Sequence, residues 1–265
     1  MSKYVSYALT SYKNTQVYKL QVLFRVIGSV LLVVVMRDLW SAIYRFGSDL
    51  ESSTGVNLAD MGTYAIVAVI ASRLLTVEFS WEISERVRSG DIVLDLQKPW
   101  NYQLVMLAKM AGNALFVLTY VVVPLCITAV ILFPMRFPTG WQAAAFAVSM
   151  VLAFVLAFSI EFLLGLLTFL FTEVWGFMAL TFTAIQLCSG VYIPLWFFPE
   201  ALGKAIALLP FQGLYNIPLS IYIGKLSGDA VWGGLMFQLV WSSVLFLAGH
   251  FGLKAISRRL LTAGG

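Results

Sequence analysis

Six apolar runs divide this chain, each close to the ~20 residues that an α-helix needs to cross the hydrocarbon of a bilayer. They read as spans at Leu20–Leu39, Met61–Phe79, Val105–Phe133, Trp141–Phe171, Val174–Ile193 and Val231–Lys254. The third is long enough to tilt or to begin in the interface. No other feature constrains the fold as strongly. A helix that is apolar all round must be buried in protein or lipid, and this chain has too little polar surface to bury six of them in water. Charged residues make up 11% of its 265 positions, against roughly 25% in a soluble domain. The expected fold class is therefore all-α and polytopic, a single transmembrane domain over 1–265, with mean hydropathy +0.89 in keeping.

The Lys and Arg distribution orients the spans. Lys3, Lys13 and Lys19 precede the first, Arg86, Arg88 and Lys98 follow the second, and Lys254, Arg258 and Arg259 end the chain. The opposite side holds Arg37, Arg45, Arg136, Lys204 and Lys225 over longer loops. Both termini are predicted to be cytoplasmic. The first residues are too polar for a signal peptide, so the first apolar run is expected to stay as a span. Tyr4, Tyr7, Tyr12 and Tyr18 among lysines and serines predict an interfacial helix over 1–19.

Pro194–Gly228 is apolar and aromatic, yet it is broken by Pro194, Pro199, Pro210 and Pro218. Proline leaves backbone groups without helical partners, so short re-entrant helices on the external side are expected at 194–228. A phenylalanine series, Phe154, Phe158, Phe162, Phe169 and Phe177, suggests lipid contact or an apolar path. Span five carries Gly176, Ala179, Thr181, Thr183 and Ala184, small residues that permit close helix approach.

Chemistry of other kinds finds little support. Cys126 and Cys188 lie in apolar runs, so neither a disulfide framework nor a metal site is expected. No basic cluster exceeds Arg258-Arg259, which excludes nucleic acid as an expected partner. There is no GxxxxGK[ST] phosphate loop and no HExxH; His250 is the only histidine. Ser189 and His250 could in principle form a nucleophile–base pair, but the predicted topology puts them at opposite faces. No catalytic residue is assigned.

Two groups of residues remain as candidate sites. Arg25, Arg73 and Glu161 are ionisable positions in or near the hydrocarbon, costly there by ~2.5–3.5 kcal/mol each at the centre. Arg73 and Glu161 sit at similar predicted depth, where they form a gate, a structural pair, or neither if the arginines snorkel. The second group is a charged island, Glu78 to Lys98, which holds eight charged residues in twenty-one positions. Trp81–Arg88 reads as a helix, Gly90 as its left-handed cap, and Asp91 as N-cap of a second helix, Ile92–Gln97, stopped by Lys98-Pro99. Two short helices meeting at Gly90 make a charged cytoplasmic elbow over 80–100.

The stretch Glu85–Pro99, with Arg88, Gly90, Ile92, Leu96, Lys98 and Pro99 in the spacing basic–x–glycine–x–hydrophobic–(x)3–leucine–x–basic–proline, resembles the permease subunits of ABC-2-type exporters. The six spans, the N-terminal interfacial helix and the Pro-rich segment before the last span extend the resemblance over nearly the whole chain. It implies half of a split transporter in the plasma membrane of a prokaryote. Its partners would be two copies of a separate ABC ATPase, which holds ATP and Mg, a second permease, identical or related, and membrane lipids. The elbow would be the coupling helix, with Glu82, Glu85, Arg86, Arg88, Gly90 and Asp91 at the ATPase. Alternating access would export an amphiphilic or lipophilic compound: a drug (hence multidrug resistance), a peptide or a lipid. A proton-coupled secondary transporter using Glu161 is the alternative, and an assembly protein or membrane enzyme a third class.

Overall fold

The computed structural model describes residues 3–15, 19–47, 50–76, 79–138, 140–171 and 174–263. Among the described residues the regular structure is entirely helical. The long helices are α2 (Lys19–Phe46), α4 (Leu58–Leu75), α7 and α8 (Tyr102–Val117 and Val123–Leu132), α9 (Trp141–Leu167) and α13 (Asp229–Ala263). Shorter ones are α1 (Lys3–Thr15), α3 (Leu50–Thr54), α5 (Ser80–Ser89), α6 (Ile92–Leu96), α10 (Trp175–Cys188), α11 (Glu200–Ile206) and α12 (Asn216–Tyr222). Among the described residues, five regions hold helix long and apolar enough to cross a membrane: 20–46, the region 58–89 that contains α4, 102–132, 141–167 and 229–258.

Local chemistry explains the boundaries. Asn57 caps α4 by accepting the Asp60 N–H at 2.8 Å, and Asn101 caps α7 by accepting the Leu104 N–H at 3.3 Å. Between α7 and α8 a π turn, Leu118–Val122, lets one helical run pass Pro124. Proline lacks an N–H and crowds the carbonyl four residues back, and a widened turn relieves both.

The core sits between α4, α9 and α13. Its heart is aromatic: Phe79 and Phe158 stack at 5.4 Å, and Phe158 and Phe162 at 5.6 Å. Phe158 and Phe162 are fully buried, so these two belong to the protein interior rather than to a lipid-facing stripe, whereas Phe177 is exposed. The reason is their spacing of four, which places both rings on the face of α9 that meets Phe79 and Phe246.

Helices α9 and α13 run parallel. Ser149 meets Gln238, the Ser242 hydroxyl donates to the Leu152 carbonyl, Phe162 lies against Gly249 and Leu166 against Gly252. Between them in the chain lies α10. It has 14 residues, about 21 Å at ~1.5 Å per residue, and is therefore shorter than the ~30 Å of a bilayer core. The expected span to Ile193 ends early, at Cys188, and the chain turns at Gly190, whose carbonyl accepts the Tyr64 hydroxyl at 2.7 Å. Only Met178 of α10 is buried.

The proline-broken segment folds as α11 and α12 with 3-10 turns at Leu195–Phe197 and Pro210–Gly213. Helix α12 is buried against α9 and α4, and Gly213 sits against Leu156, midway along α9. Gln238 supports this irregular backbone. Its amide donates to the Gly213 carbonyl at 2.7 Å and the Ser149 carbonyl at 3.1 Å, and accepts the Ser149 hydroxyl at 2.8 Å. Away from water, such backbone groups must find partners inside the protein.

Candidate functional site

The charged island is an elbow. Helix α5 ends at Gly90, whose φ of 81° is a left-handed conformation that costs glycine nothing. Its N–H donates to the Val87 carbonyl at 3.2 Å. Asp91 does not cap α6, as the sequence suggested: it is already helical at φ −63°, ψ −20°, with no side-chain cap bond. The glycine turn delivers the chain straight into α6, so there is no extended capping position for Asp91 to fill. The island's first acid, Glu78, lies outside the described residues.

An ion-pair clasp closes the elbow. Asp95 of α6 takes the Arg86 guanidinium at 2.6 Å on one oxygen and the Lys98 ammonium at 2.7 Å on the other. The hydrogen bond to Asp95 raises the Lys98 pKa above the usual lysine value. Glu82 bonds Lys109 of α7, with Arg86 a further 4.0 Å contact. Glu82 and Arg86 therefore tie the elbow to itself and to α7. Arg88 is exposed and has a partner of its own. Glu85, Gly90 and Asp91 are exposed. So are Trp81, Val93 and Leu94, the last at 63%, while Ile92 faces inward. The tip thus presents acidic groups, one arginine and apolar side chains together.

The elbow is fastened to α9 at its root. Ser80 and Ile83 are buried. A Cβ on Gly165 would lie 2.6 Å from Ile83 Cδ1, so glycine there lets α5 approach closely. Glu161 of α9 accepts the Ser80 N–H at 3.3 Å, at the first turn of α5. A carboxylate there satisfies an orphan donor and faces the positive end of the helix dipole. No ion pair joins Glu161 to Arg73.

Arg73 instead shares a cavity of about 520 Å³ with Arg25, beside Thr76, Phe79, Glu82 and Lys109. Helix α1 covers this region from α7, with Tyr7 edge-on to Trp100 at 6.0 Å and Tyr12 edge-on to Phe116 at 6.0 Å. The approach is close at Gly112, where a Cβ would overlap the Ala8 carbonyl. The sequence had shown Arg25 and Arg73 separately, 48 positions apart; the antiparallel packing of α2 on α4 brings them together. Asp95 and Lys109 were missed as site residues, because their partners are set by the Gly90 turn and by helix packing.

Ser189 and His250 are not brought together. Ser189 lies by Asn216, near Tyr64, whereas His250 follows Gly249, which packs on Phe162 and Gln103. Among the described residues, no three His, Cys, Asp or Glu side chains gather closely enough to hold a metal ion.

With this architecture in view, comparison with known families is decisive. A family model described as "ABC-2 family transporter protein" matches residues 30–264. The chain belongs to the ABC-2 transporter family. It is accordingly a multi-pass membrane protein and a membrane transport subunit, of a family whose permeases lack a nucleotide-binding domain and typically work with an ATPase partner. No curated protein and no solved structure matches it.

Proposed function

We propose that this ABC-2 protein is the permease half of an ATP-driven exporter, and that α5–α6 is the lever through which a separate ATPase moves it. One observation carries the reading: the elbow has a rigid root and an exposed tip. Its root is held to α9 by Glu161 and Gly165, its two helices are clasped by Asp95, and Glu85, Asp91 and Leu94 face outward. A push on the tip is therefore transmitted to α9 and to α13 packed along it.

The rest of the layout supports six crossings with both termini on the elbow's side. The parallel pairing of α9 and α13 requires one return, and α10 with residues 189–193 supplies it. The N-terminal helix, with its tyrosines and Lys3, suits the cytoplasmic interface. The outward faces of α2 and α10 are apolar, with Leu31, Val35, Leu180 and Phe182 among their exposed residues, and are open to lipid or to a second permease, identical or related. Two ATPase copies, holding ATP and Mg, would drive alternating access in the plasma membrane of a prokaryote. The aromatic interior and the scarcity of intramembrane charge favour an amphiphilic or lipophilic cargo: a drug, a peptide or a lipid.

The test is twofold. The chain purified in mild detergent from its host should bring an ABC ATPase with it. Glu85→Ala combined with Leu94→Ala should leave Tm within about 0.5 kcal/mol-equivalent of the parent, since both are surface positions, while abolishing cargo-stimulated ATP hydrolysis by the complex. Full stimulation in that variant would refute the lever. A proton-coupled transporter would use Glu161 as a carrier. Transport that survives Glu161→Gln and stops without ATP eliminates it.

A further inference from the structure

The cavity containing Arg25 and Arg73 has a composition that the lever does not use. Its described lining is Ser11 of α1, Arg25 of α2, Arg73 and Thr76 at the end of α4, Phe79, Glu82 of α5, then Met106, Lys109, Met110, Asn113 and Val117 of α7, and Val121 of the π turn. Glu82 is bonded to Lys109, which leaves two guanidiniums in excess among the described lining residues. Among the described residues, no ion pair joins Arg25 or Arg73 to an acid. The Arg73 Nε is buried and makes no hydrogen bond. Buried donors are nearly always satisfied, and an orphaned one beside a cavity marks a place for a missing acceptor.

A basic pocket at the other end of the same helices makes a contrast. It has a volume of about 410 Å³ and contains Arg37, Arg45 and Arg136. There Arg37 is paired with Asp38 at 2.8 Å and Arg136 with Asp60 at 2.9 Å. Among the described residues, two of the three arginines at that end have acidic partners, whereas Arg25 and Arg73 have none.

We propose that the Arg25–Arg73 pocket binds a phosphate oxyanion, that of an anionic phospholipid headgroup from the leaflet on the elbow's side. Guanidinium forks suit phosphate oxygens and bind them in pairs. Arg25 lies six residues into α2, about 9 Å along it at ~1.5 Å per residue, and Arg73 is two residues from the end of α4. That is the depth at which headgroups give way to chains. Met106, Met110, Val117 and Val121 continue the pocket as an apolar wall for the first carbons of an acyl chain, which free phosphate would leave uncovered. At about 520 Å³ the space falls within the range of small-molecule sites. The assignment is independent of the exporter reading, since a chain that moved no cargo would still hold the lipid.

Native mass spectrometry of the full chain in detergent tests it, with phosphatidylglycerol, phosphatidylcholine or inorganic phosphate added in turn. Phosphatidylglycerol should be retained at one per chain and preferred over phosphatidylcholine by about tenfold or more, the scale of one charge-assisted hydrogen-bonded pair. Arg73→Gln and, separately, Arg25→Gln should each reduce that preference several-fold, and Lys254→Gln, on the exposed side of α13, should leave it intact. Equal retention of the two lipids by the parent chain overturns the proposal, a reading that needs no variant to fold. So does a preference unchanged in both arginine variants. Inorganic phosphate bound with the same Arg73 dependence, in the absence of any lipid preference, replaces the phospholipid with a free anion and overturns the assignment of source.

Discussion

The elbow and the buried turn at Pro210–Gly213 solve the same problem in opposite ways. Each is irregular backbone that has to be held against a long helix. The elbow uses charge: Asp95 with Arg86 and Lys98, Glu82 with Lys109, and Glu161 on Ser80. The turn uses one neutral side chain, Gln238, fully buried and bonded to Gly213 and Ser149. Exposed ion pairs contribute little, about 0–1 kcal/mol each, whereas a buried polar group that loses its partner costs about 1–3 kcal/mol. The conspicuous charges thus secure the elbow lightly, and an inconspicuous glutamine secures the buried turn firmly.

Three substitutions probe this contrast. Gln238→Leu should have the largest effect, about 2 kcal/mol, because it strands the Gly213 carbonyl without a donor; thermal unfolding of the purified chain in detergent reads it as a lowered Tm. Glu161→Ala should come next, at about 1 kcal/mol for a lost carboxylate at a helix N-terminus, with faster hydrogen exchange confined to the first turn of α5. Asp95→Asn should cost least, under about 1 kcal/mol, and should loosen α6 in hydrogen exchange while Tm barely moves. If Asp95→Asn lowered Tm as far as Gln238→Leu, the elbow would be part of the fixed core and the contrast would collapse.

The elbow's outline was legible from residue order because it depends on local rules. Glycine at 90 ends a helix, proline at 99 stops the next, and eight charges in a hydrocarbon chain mark a wet segment. The assignment of individual charges was not legible, because whether Arg86 points outward or back to Asp95 depends on a turn angle. The apolar runs announced the long helices but hid their relations. Nothing in Trp141–Leu167 or Asp229–Ala263 says that they lie side by side and parallel. Phe158 and Phe162 likewise read as lipid contact or an apolar path until Phe79 and Phe246 are seen against them. The Arg25–Arg73 pocket needed tertiary packing of α2 on α4 to exist at all.

The parallel pairing of α9 and α13 also has a consequence for how the protein is made. Ser149 and Gln238 stand 89 positions apart, and the contact cannot form until α13 leaves the ribosome. Until then the Pro210–Gly213 turn has no donor for its carbonyl, and one long face of α9 has no neighbour. Helix α13 is therefore the keystone of biogenesis, and a chain stopped short of it leaves that face of α9 uncovered.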